Sequence, residues 1–487
     1  MNSLPSVPLS PANLKQLGLG IDPNALVLKY EDRVLRAITP GREAFFSELL
    51  AHPAVEQLMA DGLLLPAKKS SIRVEGFSLV LEQPLIWPVT YPFEWTPSMF
   101  KAAARNLLRL NLKLMEHGYC TEDGHLWNML FQGSQPQFID FSSIREIPPS
   151  GNWGADVEFE VNLTALKLME KGFPTEARAL LRHVRASPNP SLADSMVIHS
   201  AEHYKGQPLW RADLQKVCDV FHHYRKKIVH RLKRPGNKAP WPVQLEYLLE
   251  QIEVMDVSPA RSTWSNYYTG MRDELNYNGS PESAERLKKA TSKQEVVNGI
   301  LERIRPKTVL DLACNRGLYS QFASMCGARV VGADTDELAL DTMYQDSVRQ
   351  NTGIHPVYLN VLMPAEATGL RERPFPSVVD RLRSELVLCL ALTHHFVFPQ
   401  PRQKFPQIAR LLTEFTHRHL LVEFVPLHDE PTQNLYRKQF TDFEREFDWY
   451  TLDNFQAEFQ KHFRHIERLE SFPAGRVLLF CQDKISD

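Results

Sequence analysis

The stretch "VLDLACNRGLYSQFASMCGARVVGAD" (309–334) constrains the fold of this chain more than any other. The apolar run "VLDLA" predicts a buried strand, "CNRG" a tight turn, "LYSQFASMCG" a helix, and "ARVVGAD" a second strand that ends at Asp334. Two strands joined by a helix predict neighbouring parallel strands in a sheet that helices cover. In such sheets, ligands bind beyond the carboxyl ends of the strands, over the N-terminus of the first helix. The stretch therefore predicts a ligand site at residues 311–317 and Asp334.

The composition of the turn argues against a dinucleotide. A dinucleotide turn has the form G-x-G-x-x-G, because its glycines let the backbone close on a pyrophosphate. Here Ala313 and Asn315 stand where the pyrophosphate would press. S-adenosylmethionine (SAM) has no phosphate, and the early carboxylate of Asp311 suits a cofactor with an amino group and a sulfonium. Asn315 is tolerable in this turn because asparagine, like glycine, adopts left-handed backbone angles.

The D-x-A-C-N-x-G turn resembles motif I of the class I SAM-dependent methyltransferases. The resemblance implies five cofactor-binding positions: Asp311, Ala313, Asn315, Gly317 and Asp334. At the end of the second strand, Asp334 would accept the protons of both ribose hydroxyls.

Later segments follow the order of that family. "HPVYLNVLMP" corresponds to the third strand, with Asn360 where many members carry an aspartate that contacts the adenine amino group. "SELVLCLALTHHFVF" corresponds to the fourth strand, "HLLVEFVP" to the fifth, and "FRHIERLE" with "GRVLLFCQ" to a closing antiparallel pair. The implied fold over 259–487 is a Rossmann-like α/β domain with a seven-stranded, mostly parallel sheet.

A narrower resemblance rests on "LALTHHF", "LLVEFVP" and the upstream "WSNYY", together with D-L-A-C-N-x-G-x-Y-S. These segments resemble the NoeA-like nodulation-protein methyltransferases, some of which are long proteins with an N-terminal extension. The resemblance implies methyl transfer and leaves the substrate open.

Candidate catalytic residues lie near the fourth and fifth strands. His394 and His395 sit at the mouth of the fourth strand, where the methyl acceptor of a class I enzyme approaches, and His395 is a candidate base or orienting group. Glu423 ends the fifth strand near the same edge. Packing or ordinary hydrogen bonding is the alternative role for each of them. Three upstream aromatic residues form either a lid over the site or simple packing: Trp264, Tyr267 and Tyr268.

The N-terminal half carries a second motif. "CTEDGHLWNMLFQGSQPQFIDFSSI" (120–144) places Asp123 five residues before Asn128 and Asp140 twelve residues after it. The stretch resembles the catalytic core of aminoglycoside-phosphotransferase-like kinases. The resemblance implies that Asp123 faces an acceptor hydroxyl, and that Asn128 and Asp140 hold Mg²⁺ with ATP.

Other parts of a kinase are missing. "LKYEDRVLRAI" has no glycine-rich loop, and Arg36 stands where a kinase has its strand lysine. Arg36 could imitate the usual ion pair with Glu43 or Glu48, although arginine is no simple substitute for lysine. Two interpretations stay open: a degenerate module that binds acceptor or nucleotide without transfer, and an active small-molecule or glycan kinase.

The 487 residues predict two to four domains at about 150 residues per domain. Residues 1–24 form a loose lead-in, 25–155 a kinase-like α+β core, 156–258 its helical extension, and 259–487 the methyltransferase-like domain. The extension contains the helical pattern "RADLQKVCDVFHHYRKKIVHRLK".

Composition narrows the setting. With 56 basic and 58 acidic residues the formal charge is −2, which gives no sign of nucleic-acid or membrane binding. The longest apolar run, "LVLCLAL", is too short to span a bilayer, and the first residues lack the apolar core of a signal peptide. Six scattered cysteines without metal-ligand spacing predict reduced thiols, no metal site and a cytoplasmic location.

The sequence thus predicts a SAM-dependent methyltransferase whose unidentified acceptor is a small molecule, a glycan or a natural-product intermediate. One alternative is a bifunctional kinase and methyltransferase, or a phosphotransferase, that acts through Asp123, Asn128 and Asp140. Another is a protein that binds SAM only for structure or regulation. The oligomeric state stays open.

Overall fold

The computed structural model describes residues 7–17, 22–151, 153–183, 236, 239–262, 264, 276–370, 373–399 and 402–485. The chain divides into two compact units. Unit 1 comprises Met1–Trp87, Tyr91–Pro259 and Thr368–Phe375; unit 2 comprises Pro88–Thr90, Ala260–Ala367 and Pro376–Asp487. The helix predicted over 211–233 and the candidate lid residues Tyr267 and Tyr268 lie outside the described residues.

Unit 1 combines short antiparallel strands with helices. Its described strands are β1 (Lys15–Gln16), β2 (Ala25–Tyr30), β3 (Arg33–Ile38), β4 (Lys68–Lys69), β5 (Val80–Pro84), β6 (Tyr119–Thr121), β7 (Met129–Gln132), β8 (Gln135–Phe138) and β9 (Ile144–Glu146). Its described helices are α1 (Glu43–Leu50), α2 (Pro53–Ala60), α3 (Pro97–Met115), α4 (Asp156–Glu170), α5 (Pro174–His183) and α6 (Trp241–Val254). A hairpin pairs Thr368–Leu370 with Arg373–Phe375.

The main sheet of unit 1 has the order β1-β2-β3-β5-β4, while β6 pairs with β9 and β7 with β8. Local chemistry sets several of its boundaries. Glu31 takes a φ of 51° in the tight turn between β2 and β3. Pro53 opens α2 directly after α1, and Gly118 follows α3 with a φ of 81°, a conformation that glycine adopts without steric cost. These three sequence predictions are confirmed, and the kinase-like architecture of the unit stays a prediction.

Unit 2 is built on one sheet. Its strands are β10 (Thr308–Leu312), β11 (Arg329–Asp334), β12 (His355–Tyr358), β13 (Ser384–Cys389), β14 (Thr416–Phe424), β15 (Phe463–Glu470) and β16 (Val477–Lys484). The described helices are α7 (Pro281–Leu287), α8 (Ser292–Ile304), α9 (Leu318–Met325), α10 (Glu337–Gln350), α11 (Val378–Leu382), α12 (His394–Val397), α13 (Phe405–Glu414), α14 (Glu430–Tyr436), α15 (Phe443–Glu446) and α16 (Leu452–Gln460).

The strand order of this sheet is β12-β11-β10-β13-β14-β16-β15. The strands from β12 to β14 pair in parallel, and β16 runs antiparallel to both of its neighbours. The predicted seven-stranded, mostly parallel sheet with a closing antiparallel pair is therefore confirmed.

Strand β10 occupies the centre of the sheet. Its residues Val309, Leu310 and Leu312 are fully buried, as expected of a parallel strand that helices cover on both faces. The adjacent β11 and β13 run in the same direction, so the carboxyl ends of all three strands meet at one edge. The loops that leave those ends form the candidate site. Among the described helices, none is both long enough and apolar enough to cross a membrane.

Candidate functional site

A cleft of about 1160 Å³ opens at the carboxyl ends of β10, β11 and β13 in unit 2. Seven of the residues singled out from the sequence line it: Trp264, Asp311, Ala313, Asn315, Asp334, Asn360 and His395. Gly317, His394 and Glu423 are not among its lining residues. The structure thus brings most of the predicted cofactor positions to one cleft and leaves two of the three candidate catalytic residues outside its lining.

The turn after β10 has three consecutive odd-numbered residues in the left-handed region. The φ angles are 56° for Ala313, 49° for Asn315 and 82° for Gly317. Asparagine tolerates this region, as predicted, whereas alanine adopts it at a cost of about 1–2 kcal/mol. At Gly317, a Cβ would lie 2.3 Å from Cε of Met343, so only glycine fits. The contribution of Gly317 to the cleft is therefore through backbone shape and close packing.

Asp334 ties the end of β11 to this turn. Its Oδ2 accepts the backbone N–H of Asn315 at 2.8 Å, and its Oδ1 accepts the N–H groups of Thr335 and Asp336 at 2.7 and 3.0 Å. Burial raises the pKa of Asp334, and these N–H groups act against that rise. A carboxylate has about four lone-pair sites, so about one acceptor site is left, on Oδ2.

Asp311 lies at the base of the cleft and is almost fully buried. The Ser320 hydroxyl donates to its Oδ2 at 2.7 Å. Burial raises the pKa of Asp311 to about 7, and the positive charge of Lys293 acts in the opposite direction. A carboxyl group with this pKa responds strongly to a ligand cation, because a nearby positive charge favours its ionised form.

Asn360 follows β12 and is exposed at the cleft. Its Oδ1 accepts the backbone N–H of Leu362 at 3.1 Å, which closes a local turn. The buried side chains of Leu359, Val361 and Leu390 line the same part of the cleft. This wall offers apolar surface for a flat ring and one side-chain amide beside it.

His395 is the candidate catalytic residue that reaches the cleft. Its Nδ1 hydrogen bonds with the Tyr436 hydroxyl, and its ring lies edge-on to Trp264 with centroids 5.6 Å apart. Burial lowers the pKa of His395 to about 4, and the charge of Arg476 adds to this effect. The imidazole is therefore neutral at neutral pH and can accept a proton.

His394 turns away from the cleft. It is buried, and its Nδ1 makes no hydrogen bond within the described part of the chain. Burial holds its pKa well below the ordinary value. The predicted position of His394 at the acceptor is wrong, because the α12 helix directs successive side chains to different faces.

Glu423 also lies behind the cleft wall. It is completely buried and accepts hydrogen bonds from Lys293 Nζ at 2.6 Å, from the Ala391 backbone N–H at 2.7 Å and from the Ser471 hydroxyl. The expectation that Glu423 meets the acceptor directly is wrong. Its donors come from three separate segments, so it holds the wall in place.

Sequence reasoning missed three groups that line the cleft: Lys293, Asp429 and Arg476. Arg476 forms a two-point ion pair with Asp429, with N–O distances of 2.8 and 3.0 Å. Lys293 lies in the first turn of α8, where a positive charge opposes the helix dipole. That unfavourable placement was a signal available from the sequence.

In unit 1, the kinase-like motif residues do come together. The Asn128 side-chain amide donates to Asp123 at 2.9 Å and to Asp140 at 3.4 Å. Arg36 donates to Asp140 at 2.8 Å and is almost fully buried. The oxygens of Asp140 that the motif would use for Mg²⁺ are thus occupied by nitrogen donors.

The suggested pairing of Arg36 with Glu43 or Glu48 is wrong. Arg36 instead donates to Gln83 at 2.7 Å and to the Ile139 carbonyl at 2.7 Å, in addition to Asp140. Glu43 accepts from Ser78 and Gly41, and Glu48 is exposed. Strand β3 directs Arg36 toward the motif rather than toward α1.

One further group in unit 1 could hold a metal ion. Asp123, His125 and Glu158 each offer one ligand atom, and these atoms lie within 4.8 Å of one another. Burial raises the pKa of Asp123, and the carboxylates of Asp140 and Glu158 add to that rise. Glu158 already accepts the Gly124 backbone N–H at 2.8 Å.

No family model matches the chain. The chain is 26% identical over 429 residues to nodulation protein NoeA of Rhizobium meliloti (strain 1021), and the match covers 85% of each protein. The similarity predicted from the cofactor turn and the later strands is therefore confirmed, and it extends through most of both units.

Solved structures overlap the chain only in part. The bifunctional kinase-methyltransferase WbdD aligns with a TM-score of 0.30 and 16% identity over 45% of this chain and 46% of that chain. TehB from Haemophilus influenzae aligns with a TM-score of 0.29 and 15% identity over 42% and 67%. An O-methyltransferase described as putative in Nostoc punctiforme aligns with a TM-score of 0.27 and 15% identity over 42% and 58%. Scores at this level do not establish a shared fold.

Proposed function

We propose that unit 2 of this relative of NoeA is a class I SAM-dependent methyltransferase. The observation that carries the proposal is the contact between the Asn315 backbone N–H and the Asp334 carboxylate at the cleft. It couples a turn without pyrophosphate glycines to an acidic residue that ends the second strand of the sheet. The sheet order, 3-2-1-4-5-7-6 when its strands are numbered along the chain, supports the same class.

The residues that line the cleft fit the parts of SAM. The remaining acceptor site on Asp334 suits a ribose hydroxyl, and the apolar wall beside Asn360 suits the adenine ring. Asp311 suits a positively charged group, because ionisation of its buried carboxyl is favoured by a cation. When bound, SAM supplies a methyl group already activated by its sulfonium.

The protein's share of the chemistry is positioning and proton transfer. Holding the acceptor in line with an activated methyl group accounts for much of the required lowering of the barrier. His395 lines the cleft as a neutral imidazole, so it can accept the proton that an acceptor hydroxyl or amine loses. Tyr436 orients the ring through its hydrogen bond to Nδ1.

We infer that the acceptor is a small molecule, a glycan or a natural-product intermediate. The cleft of about 1160 Å³ exceeds the roughly 300–1,000 Å³ typical of a single ligand pocket, which leaves room for an acceptor beside the cofactor. His428 and the Arg476–Asp429 ion pair provide polar contacts in the same cleft.

For unit 1 we propose a role without phosphoryl transfer. The Arg36 guanidinium donates to the carboxylate that a kinase uses for Mg²⁺, so a cation already neutralises Asp140. This observation weighs against the alternative of a bifunctional kinase and methyltransferase. The alternative of a protein that merely binds SAM is disfavoured by the neutral His395 at the cleft.

The experiment that tests the function is calorimetric titration of the purified chain with SAM and, separately, with Mg·ATP. We expect binding of SAM and none of Mg·ATP. Binding of both ligands would support the bifunctional enzyme, and binding of Mg·ATP alone would overturn the assignment of unit 2.

A further inference from the structure

Lys293 is a buried lysine in the wall of the cleft. It is 6% exposed and follows Thr291, whose hydroxyl accepts the Gln294 backbone N–H and caps the 13-residue helix α8. All three of these residues line the cleft. A lysine in the first turn of a helix is electrostatically unfavourable, because the N-terminal end of the dipole is positive. Its burial there calls for a negatively charged partner.

One such partner is internal. Lys293 Nζ donates to Glu423 at 2.6 Å and lies 5.7 Å from the centroid of the Tyr319 ring. Glu423 also accepts from the Ala391 N–H and from Ser471, so its charge is shared among three donors. An ammonium group carries three N–H donors, and Glu423 takes one of those of Lys293. The ammonium is thus fixed at the wall with capacity for a second acceptor.

The cleft presents opposite charges near each other. Asp311 and Lys293 both line it, and the charge of Lys293 acts on the titration of Asp311. An acidic group beside a buried ammonium and a helix N-terminus matches the ammonium and carboxylate of an α-amino acid. SAM carries such an amino-acid end, and its adenosine end fits the part of the cleft near Asp334.

We propose that Lys293, with the first turn of α8, binds the carboxylate of the amino-acid end of SAM while Asp311 faces its ammonium. This inference rests on the proposed function of unit 2. It adds a residue that selects ligands with an intact amino-acid end over adenosine compounds that lack one.

The test compares three ligands that share the adenosine thioether. S-adenosylhomocysteine has the complete amino-acid end, its decarboxylated analogue keeps only the amine, and methylthioadenosine lacks both. Their affinities are measured by calorimetric titration of the wild-type chain, Lys293→Met and Lys289→Met. Lys289 is an exposed lysine just before α8, so its substitution is the matched control.

In Lys293→Met we expect the affinity for S-adenosylhomocysteine to fall by about 30-fold, as for loss of one partner of a buried charge pair. The affinities for the decarboxylated analogue and for methylthioadenosine should stay within about 2-fold, because neither offers a carboxylate. Lys289→Met should match the wild type with all three ligands.

Lys293→Met leaves Glu423 buried without its ammonium partner and therefore risks misfolding. The double variant Lys293→Met/Glu423→Gln removes both charges and should show the same ligand-selective loss. An equal loss for all three ligands, or no loss for S-adenosylhomocysteine in a folded variant, overturns the role of Lys293 alone. If the wild-type chain binds neither SAM nor S-adenosylhomocysteine, the proposed function itself fails, and this inference fails with it.

Discussion

The backbone N–H of Asn315 donates to Oδ2 of Asp334 across 2.8 Å, while Asn315 holds a left-handed φ of 49°. The turn after the first strand and the end of the second strand are therefore parts of one hydrogen-bonded edge. Loss of either partner should affect both the ligand and the shape of the turn.

Replacement of Asp334 by alanine should weaken binding of S-adenosylhomocysteine by about 10- to 100-fold, since a hydrogen bond to a charged group contributes about 1.5–3 kcal/mol. Calorimetric titration measures the change. Asp453→Ala, which removes a carboxylate with 83% exposure on α16, serves as the control and should bind normally. An unchanged affinity in Asp334→Ala would place the cofactor elsewhere.

Two substitutions in the turn should act in opposite directions. Gly317→Ala should lower the free energy of unfolding by about 3 kcal/mol or more, because it adds backbone strain and a Cβ that collides with Met343. Ala313→Gly should be neutral or stabilising by up to about 1 kcal/mol, because it relieves an alanine at φ 56°. Urea denaturation of both variants checks this contrast, and similar losses in both would contradict it.

SAM binding should depend on pH through Asp311, whose pKa burial raises to about 7. A cationic ligand favours the ionised carboxylate, so affinity should be highest above pH 7 and fall by up to about tenfold per pH unit below it. Titrations between about pH 5.5 and 8 test the slope. Asp311→Asn should bind more weakly above pH 7 and lose this part of the pH dependence; an identical slope in both proteins would refute the assignment.

In unit 1, the two aspartates of the kinase-like motif should differ in their effect on stability. Asp140→Asn removes the charged partner of the buried Arg36 and should cost about 3 kcal/mol. Asp123→Asn should be close to neutral, because burial raises the pKa of Asp123 and already disfavours its charge. Urea denaturation measures both. Equal stability of the two variants, joined to loss of an ATP-dependent activity, would revive the kinase interpretation.

The sheet of unit 2 could be predicted because its strands are continuous apolar runs separated by a helical pattern. The left-handed Asn315 followed from the chemistry of asparagine in a turn that lacks glycine. These are local properties, which a sequence carries in neighbouring residues. The left-handed Ala313 could not be foreseen in this way, because only the surrounding structure imposes that conformation on alanine.

The roles of buried charges could not be predicted. Glu423 stands at the end of a strand in the sequence, yet it is covered by Lys293, which is 130 residues away along the chain. Arg36 and Asp140 are separated by 104 residues. Pattern and spacing identify such residues as chemically interesting, but tertiary packing decides whether they face a ligand or each other.

The separation along the chain also bears on the order of folding. Asn315 and Asp334 are only 19 residues apart, whereas Lys293 and Glu423 are 130 apart. Closing a short loop costs less entropy than closing a long one, and local contacts generally form faster. We therefore expect the ribose-binding edge to form early, on a nascent chain that has only just passed β11, and the buried ion pair of the opposite wall to close only after β14 has been synthesised.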